Sequence, residues 1–187
     1  MSIFNVSIIT LSKNDPEGLI RTAFSISQSH FEGKIEWLVL DGSKNLQHLK
    51  NKNFLSNLKI KNNIYLTHLN LNEKLIFGIY NSMDYGLEIA TGESLLFMNG
   101  GDEFFEKNSL NKLYKALLEL SEKKSFAFGQ ALIYKNKNFN WKFPDQNINN
   151  INKWLRFFEP NHQTMLVKSN FAKCYKFSKF GDLYADG

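Results

Sequence analysis

The sequence predicts an α/β fold with a mostly parallel central sheet flanked by helices, and three observations lead to it. Compact apolar segments at residues 6–11 and 35–40 are predicted strands, and a helical pattern lies between them. Such a β-α-β unit is the usual way to place two neighbouring strands in parallel. A third apolar segment, residues 94–98, ends abruptly in Asn99-Gly100-Gly101-Asp102, which is typical of a buried strand that opens into a polar turn.

The elements of the first third of the chain follow from capping residues and periodicity. Asp15 and Pro16 suit the N-cap and the first position of a helix, and apolar residues recur at helical spacing over residues 19–27. Residues 46–63 are polar and poorly periodic, so they predict a loose helix followed by a loop. Residues 64–69 alternate in polarity, as a half-buried strand does.

The later elements are predicted in the same way. A helical stripe runs over residues 79–90, with Gly92 as its predicted C-cap, and a second amphipathic helix covers residues 108–120. Residues 126–134 are predicted to form one strand. The remaining predictions are a surface loop or hairpin around Trp141 (135–152), a short strand at 165–167 and a small helix near Ala172.

Composition bounds the class of protein. The 187 residues are enough for one domain, expected to span residues 1–187, and 43% of them are hydrophobic, as in a globular protein. The net charge of +5 comes from dispersed lysines, which suits a solvated surface or a face attracted to anionic lipid or a phosphorylated donor. Arginine occurs only at 21 and 156, which argues against an arginine-based nucleic-acid reader. The single Cys174 excludes a disulfide framework and a cysteine-based zinc site.

The sequence has neither the features of a secretory signal at its start nor a run of roughly 18 apolar residues, the length that a membrane span requires. One cysteine is also compatible with a reducing compartment. We therefore expect a cytoplasmic protein whose membrane contact, if it has any, is peripheral.

Polar residues follow three of the predicted strands. Asn14 comes after the first strand, Asp41 ends the second, and Asn99 to Asp102 follow the segment at 94–98. The carboxyl ends of parallel strands meet at one edge of a sheet, where open α/β folds bind their ligands. A carboxylate at that edge can hold a divalent cation, which in turn holds a phosphate. The sequence has no P-loop and no dinucleotide-binding glycine motif, so this would be a nucleotide site built from carboxylates.

Several segments, in matching order and spacing over nearly the whole chain, resemble the family 2 glycosyltransferases of the GT-A fold. They are VSIITLSKN, EWLVLDGS, GIYNSMDYGLEIATGESLLFMNGGDEF, PNHQTMLVK and FGDLYADG. The closest resemblance is to the subgroup that makes bacterial surface polysaccharides of the colanic acid, capsule and lipopolysaccharide type. The resemblance implies a single Rossmann-like domain, and it suggests that the chain ends soon after the family's catalytic base.

The resemblance also implies roles for individual residues. Thr10 would line the pocket for the base of a nucleotide-sugar, and Asp41 would contact its uracil or ribose. Asn99 and Gly101 stand where the family often has the first acidic residues of its D-x-D motif, and they would face the donor. Asp102 matches the last aspartate of that motif, which holds Mn²⁺ or Mg²⁺ on the diphosphate.

The acceptor side and the chemistry are implied by the last two segments. His162 and Gln163 match the family's His-Gln pair near the acceptor, and Asp186 matches the carboxylate taken as catalytic base. The resemblance thus implies a metal-dependent, inverting transfer of a sugar from a nucleotide-sugar, in particular a UDP-sugar, to a glycan or lipid-linked acceptor. No nucleic-acid partner is expected, and peripheral contact with the inner membrane and a homodimer are both compatible with it.

The sequence also offers two other functions. Residues 100–104 spell GGDEF, the signature of diguanylate cyclases, but Met98 stands where that family has an arginine. In that family the motif also lies in a hairpin between two strands, whereas here a predicted helix follows it, so we reject this function. The second alternative is a catalytically weak or inactive fragment or scaffold that binds a nucleotide-sugar without transferring it.

Overall fold

The computed structural model describes residues 3–120, 124–135, 138–145, 148–174 and 176–180. The elements alternate between strands and helices in the first two thirds of the chain, and shorter elements follow. The strands are β1 (Val6–Ser12), β2 (Ile35–Asp41), β3 (Ile64–Asn70), β4 (Ser94–Phe97), β5 (Phe126–Phe128), β6 (Ala131–Lys135), β7 (Asn138–Phe143) and β8 (Met165–Lys168). The helices are α1 (Pro16–Gln28), α2 (Asn45–Asn57), α3 (Ile79–Ile89), α4 (Ser109–Leu118), α5 (Ile151–Trp154) and α6 (Ser169–Ala172), with 3-10 turns at His162–Thr164 and Phe177–Phe180.

The main sheet has six strands in the order β3-β2-β1-β4-β8-β5. The four strands β3, β2, β1 and β4 are parallel, whereas β8 runs antiparallel to both β4 and β5. Strands β6 and β7 form a separate antiparallel pair. The mostly parallel sheet flanked by helices confirms the predicted fold class.

Both faces of the sheet are buried, as expected for parallel strands with helices on either side. On one face Ile8 packs with Leu19 of α1 and Leu110 of α4. On the other face Ile9 packs with Met83 and with other residues of α3. Successive residues of β1 thus point to opposite cores, and the sheet is fixed between two layers of helix.

Three local predictions are corrected by the structure. Residues 126–134 form two strands in different sheets, because the chain leaves the main sheet at Gly129, whose N–H donates to the Thr164 carbonyl at 3.1 Å. Gly92 is not the C-cap of α3, which Ala90 provides; a Cβ on Gly92 would lie 2.6 Å from the Ser7 nitrogen. The predicted loose helix is a regular one, α2, whose buried positions are mostly polar.

Residues 138–143 pair with residues 131–135, in agreement with the predicted hairpin around Trp141. The helix after the glycine turn is also present as α4, so the GGDEF letters do not lie between two paired strands. Within the described ranges, no helix combines the length and the apolarity that crossing a bilayer requires.

Candidate functional site

The carboxyl ends of β1, β2 and β4 lie side by side at one edge of the sheet, as the sequence predicted. Hydrogen bonds between the segments that follow the strands hold this edge together. The Gly42 N–H donates to the Ser12 carbonyl at 2.9 Å, and the Gly100 N–H donates to the Leu11 carbonyl at 2.8 Å. The loop after β1 therefore sits between the loops after β2 and β4.

Asn14 joins the loops after β1 and β2. Its backbone has a φ of 55°, in the left-handed region that asparagine tolerates better than most residues. Its N–H donates to the Ser43 hydroxyl at 2.8 Å, and its side-chain oxygen accepts from the Lys44 N–H at 3.2 Å. Asn14 thus has a structural role at the edge where the sequence placed it.

The turn at residues 99–102 closes on itself through two hydrogen bonds. The Asn99 N–H donates to Asp102 Oδ2 at 2.8 Å, and the Asp102 N–H donates to the Asn99 carbonyl at 3.0 Å. Gly101 has a φ of +104°, a conformation that side-chain-bearing residues rarely adopt. The glycine therefore lets the chain turn back so that the Asp102 carboxylate faces the end of β4.

The side chain of Thr22 in α1 fixes the backbone of this turn. Its buried hydroxyl lies 2.8 Å from the Asp102 carbonyl oxygen and 3.0 Å from that of Asn99, and it accepts from the Gly101 N–H at 3.0 Å. The hydroxyl thus accepts from one turn residue and shares its single proton between the carbonyls of two others. Because α1 is packed in the core, its hydrogen bonds to the turn restrict the movement of the turn.

Gln163 reaches the same carboxylate from the other end of the chain. Its side-chain amide donates to Asp102 Oδ2 at 2.7 Å, and Asn161 holds its backbone by accepting from the Gln163 N–H at 2.9 Å. The contact arises because β8 runs antiparallel to β4, so the chain enters β8 from the carboxyl edge. Gln163, predicted on the acceptor side, therefore touches the aspartate predicted to hold the metal.

Burial raises the pKa of the Asp102 carboxyl above its ordinary value, and the hydrogen bonds from the Asn99 backbone and the Gln163 side chain offset only part of that effect. A bound cation would favour the ionised form. The Arg21 guanidinium is close by, since a Cβ on Gly101 would lie 3.4 Å from it, and it also pairs with exposed Glu103 at 3.7 Å. The turn thus combines the half-buried Asp102 carboxylate with a positive charge beside Gly101.

Two buried polar atoms at this edge have no hydrogen-bond partner among the described residues. They are Ser12 Oγ at the end of β1 and Asn99 Oδ1 just after β4. Buried polar atoms are usually paired, so an unpaired oxygen on each of two neighbouring strand ends suits a bound ligand or water. The Asn99 amide and the Asp102 carboxylate supply oxygens of the kind that Mg²⁺ and Mn²⁺ bind, so the residues present fit a divalent cation.

Asp41 is fully buried and surrounded by donors. Its Oδ1 accepts from the Ser43 N–H at 2.8 Å, and its Oδ2 lies 3.1 Å from His48 Nδ1, 3.0 Å from His68 Nε2 and 2.9 Å from Asn51 Nδ2. Burial alone would raise the pKa of the Asp41 carboxyl, but the hydrogen bonds from His68, Ser43 and Asn51 together hold it well below its usual range.

Thr10, predicted to line the base pocket, and Asp41, predicted to contact the uracil or ribose, are both enclosed. Asp41 has no exposed surface, and one of its four partners faces Oδ1 while the other three face Oδ2. Thr10 is also fully buried, and its hydroxyl accepts from the Trp37 indole N–H at 3.0 Å. In this structure both side chains hold strands and loops together, and their contact with a nucleotide stays a prediction.

Of the other predicted site residues, His162 belongs to the described part of the chain and Asp186 does not. His162 belongs to the same 3-10 turn as Gln163 and is half-buried next to β4. Asp186, predicted to be the catalytic base, lies outside the described residues.

Sequence reasoning missed four residues of this edge: Thr22, Arg21, His48 and His68. The buried position of Thr22 in the helical pattern of α1 was a usable signal, because a threonine within an apolar stripe needs a partner. His48 and His68 are twenty residues apart on a helix and a strand, and their meeting at Asp41 depends on the docking of α2.

No family model matches the chain. Over 112 residues it is 29% identical to two uncharacterized glycosyltransferases of Mycobacterium tuberculosis, from strains CDC 1551 / Oshkosh and ATCC 25618 / H37Rv. That match covers 60% of this chain and 39% of each relative, so the chain spans well under half the length of the curated relatives it matches.

The fold is shared with solved structures. Residues 1–349 of S. aureus TarS superpose with a TM-score of 0.59 at 15% identity, over 97% of this chain and 52% of that one. The same protein in complex with UDP-GlcNAc gives a TM-score of 0.54 at 16% identity, covering 96% and 48% of the two chains. A mannosyltransferase from Pyrobaculum calidifontis, solved with GDP-Man and Mn²⁺, gives 0.53 at 13% identity, covering 66% and 34%.

Homologues and structural neighbours of this chain are glycosyltransferases. At these levels of identity the structural likeness establishes the fold, which is the GT-A-like arrangement of a mostly parallel sheet flanked by helices. The resemblance noted in the sequence thus extends to the fold.

Proposed function

We propose that this chain is the nucleotide-sugar-binding part of a metal-dependent, inverting glycosyltransferase that uses a UDP-sugar to extend a bacterial surface glycan. The observation that carries the proposal is the turn at residues 99–102. It holds the half-buried Asp102 carboxylate at the carboxyl edge of a parallel sheet, fixed by Thr22 from α1 and by Gln163 from the turn before β8. Complexes of structural neighbours with UDP-GlcNAc and with GDP-Man and Mn²⁺ support the choice of donor class and of metal.

In this proposal Asp102 and the Asn99 amide oxygen hold the divalent cation, and the backbone at Gly101 approaches the donor. The cation, when bound, neutralises the charge that develops on the diphosphate as the sugar leaves. Arg21 lies beside the same turn and adds a positive charge near the leaving group. His162 faces the acceptor from the segment before β8.

The acceptor hydroxyl is a weak nucleophile at neutral pH, and a carboxylate that takes its proton during attack corrects this. We assign that role to Asp186 by resemblance. One direct displacement at the anomeric carbon inverts its configuration. An Asp186→Asn variant should therefore keep donor binding and lose transfer, and retained turnover would move the base to another residue.

A second candidate function is donor binding without transfer. It is favoured by Asn99 and Gly101, which stand where the family often has acidic residues of its D-x-D motif, so that Asp102 is the carboxylate that remains. The two candidates differ in one measurement. Binding of UDP without release of UDP from any UDP-sugar would favour the binding module.

The deciding experiment is calorimetric titration of UDP into the full chain with and without Mn²⁺, followed by a screen of UDP-sugars for UDP release. We expect UDP binding that depends on Mn²⁺ in the wild type and that is lost in Asp102→Asn. The matched control is Glu103→Gln, which changes the neighbouring exposed carboxylate and should keep the binding. Metal-independent binding in the wild type, or full binding in Asp102→Asn, would contradict the assignment of the metal site.

A further inference from the structure

Residues 130–160 carry a concentration of exposed apolar side chains. Seven large ones expose more than a third of their surface, and Phe157 exposes 73% of its own. We call this group the aromatic surface, and its members are Tyr134, Phe139, Trp141, Ile151, Leu155, Phe157 and Phe158. Single exposed apolar residues are common, but many of them in one segment indicate a site of interaction.

Ring contacts connect the aromatic surface to the main sheet. The Trp154 indole stacks on Phe158 and on Phe128 of β5, each with centroids 5.5 Å apart. Phe143 of β7 contacts the same indole at 5.8 Å. Trp141 lies on the same face of β7 as Phe143, because the two residues are two positions apart in a strand. The exposed rings of Trp141 and Phe158 are therefore connected, through Phe143 and Trp154, to the edge strand of the sheet.

The hairpin of β6 and β7 exposes aromatic residues on both of its faces. Ile133 opposes Trp141, and the next residue of β6, Tyr134, opposes Phe139. Successive residues of a strand point to opposite faces, so Trp141 and Phe139 are exposed on different sides of the hairpin. A protein partner with a flat surface would cover one of these faces, whereas a lipid interface that the hairpin enters surrounds both.

Basic residues accompany the aromatic surface. Residues 130–160 contain five basic residues and two acidic ones, whereas the whole chain has 23 and 18. Lys142, Lys153 and Arg156 of this segment are exposed. Tryptophan and phenylalanine next to lysine and arginine are typical of surfaces that lie on anionic membranes. Tryptophan and tyrosine also concentrate at the boundary between lipid headgroups and acyl chains.

The segment that carries the aromatic surface starts and ends at the edge of the sheet that holds Asp102. Strands β4 and β5 both run antiparallel to β8, so they are parallel to each other and their carboxyl ends share one edge. The chain leaves this edge at Gly129 and returns to it at Thr164. Gln163, just before the return, donates to Asp102 at 2.7 Å. The aromatic surface and the proposed cation site therefore belong to the same side of the molecule.

We propose that the aromatic surface docks this chain on an anionic lipid bilayer. The exposed rings would lie at the boundary between headgroups and acyl chains, and Lys142, Lys153 and Arg156 would lie among the lipid phosphates. Docking would turn the edge that carries Asp102 towards the membrane. That orientation suits an acceptor linked to a lipid, and this consequence rests on the proposed function. The docking itself needs neither donor nor metal, so the two proposals can fail independently.

The test measures co-sedimentation of the full chain with lipid vesicles, without UDP and without Mn²⁺. Vesicles of phosphatidylglycerol mixed with phosphatidylcholine are compared with vesicles of phosphatidylcholine alone. We expect binding to the anionic vesicles that is more than about tenfold tighter than to the neutral ones and that weakens as the salt concentration rises. Fluorescence gives a second readout, because exposed Trp141 should shift to shorter wavelength on binding while fully buried Trp37 should not change.

Two variants separate the apolar contribution from the charged one. Phe139→Ser/Trp141→Ser removes an exposed ring from each face of the hairpin, and Lys142→Gln/Lys153→Gln/Arg156→Gln removes the exposed positive charges. Each should weaken binding to anionic vesicles by more than about tenfold. The matched controls change exposed side chains elsewhere, on α4 and on or next to α2, which packs beside β3 at the far end of the sheet from β5. They are Leu118→Ser and Lys50→Gln/Lys52→Gln/Lys59→Gln, and both should bind vesicles as the wild type does.

The proposal is overturned if the wild type does not bind anionic vesicles, if either variant, shown to be folded by circular dichroism, binds them as the wild type does, or if the controls lose binding to the same extent. A wild type that ignores vesicles but forms a dimer, which Phe139→Ser/Trp141→Ser dissociates, would also overturn it and would assign the aromatic surface to a second copy of the chain.

Discussion

The side-chain amide of Gln163 donates a hydrogen bond of 2.7 Å to the carboxylate of Asp102, across 61 residues of sequence. The bond favours the ionised form of Asp102, which burial disfavours. It also connects the segment before β8 to the turn after β4.

Gln163→Met should weaken Mn²⁺-dependent UDP binding by roughly tenfold, the value of a hydrogen bond to a charged group. Loss of the bond raises the pKa of Asp102 further, so the proton competes better with the cation and the defect should grow as the pH falls. Calorimetric titration at several pH values measures this. Gln28→Met, on the exposed surface of α1, is the control, and equal pH dependence in the two variants would contradict the prediction.

Asp102→Asn should be more stable than the metal-free wild type at neutral pH. The pKa of Asp102 is raised in the folded protein, so the folded chain binds more protons than the unfolded chain and stability falls as the pH rises through the interval between the two pKa values. Asparagine keeps an oxygen for the Asn99 N–H and the Gln163 amide without the buried charge.

Urea unfolding at neutral and acidic pH checks this, and the difference between the two proteins should shrink below the ordinary pKa of aspartate. A less stable Asp102→Asn at neutral pH without metal would show that the charge stabilises the fold. The same variant would combine higher stability with lost cation binding, the balance expected when a group is kept for function.

Thr22→Val should lower the free energy of unfolding by about 1–3 kcal/mol, since it leaves the half-buried Gly101 N–H without its acceptor and the Asp102 carbonyl without the hydroxyl donor. It should also weaken UDP binding, because the turn loses its attachment to α1. Thr67→Val is the control on the exposed side of β3 and should change stability by less than about 0.5 kcal/mol. Equal losses in both variants would remove the role assigned to Thr22.

Gly92→Ala should destabilise the fold by about 1–3 kcal/mol, because the new methyl group would lie 2.6 Å from the Ser7 backbone nitrogen and the strands would have to move apart. Gly129→Ala is the matched control, since nothing lies within 4 Å of the position its Cβ would take. Thermal unfolding of both variants measures the difference. A Gly92→Ala protein as stable as Gly129→Ala would show that this corner is not tightly packed.

The parallel core of the fold was predictable because local signals agree with the tertiary structure there. Short stretches of sequence determine each of these features: the N-cap at Asp15, the apolar runs of β1 and β2, and the glycine turn after β4. The same signals placed Asp102 and Asn99 at one edge of the sheet. Parallel topology then follows from short right-handed crossovers.

The rest depended on contacts between distant residues. The meeting of His48 with His68 at Asp41 requires α2 to dock on the sheet, and the weak apolar stripe of that helix gave no sign of its buried face. The contact of Gln163 with Asp102 requires β8 to run antiparallel to β4, which no local pattern specifies. The break at Gly129 was hidden because residues on both sides favour strands equally.

The bond from Gly129 to Thr164 marks where residues 130–163 leave the sheet and return to it, at two neighbouring points. The two ends of this segment lie close together because of that hydrogen bond. A segment of another length or sequence can therefore replace it while the six strands keep their pairing, since a longer loop costs little extra entropy. The fold therefore tolerates replacement of the segment between these two points. Chimeras that exchange residues 130–160, and so keep Gln163 beside Asp102, should retain the pairing of the six strands.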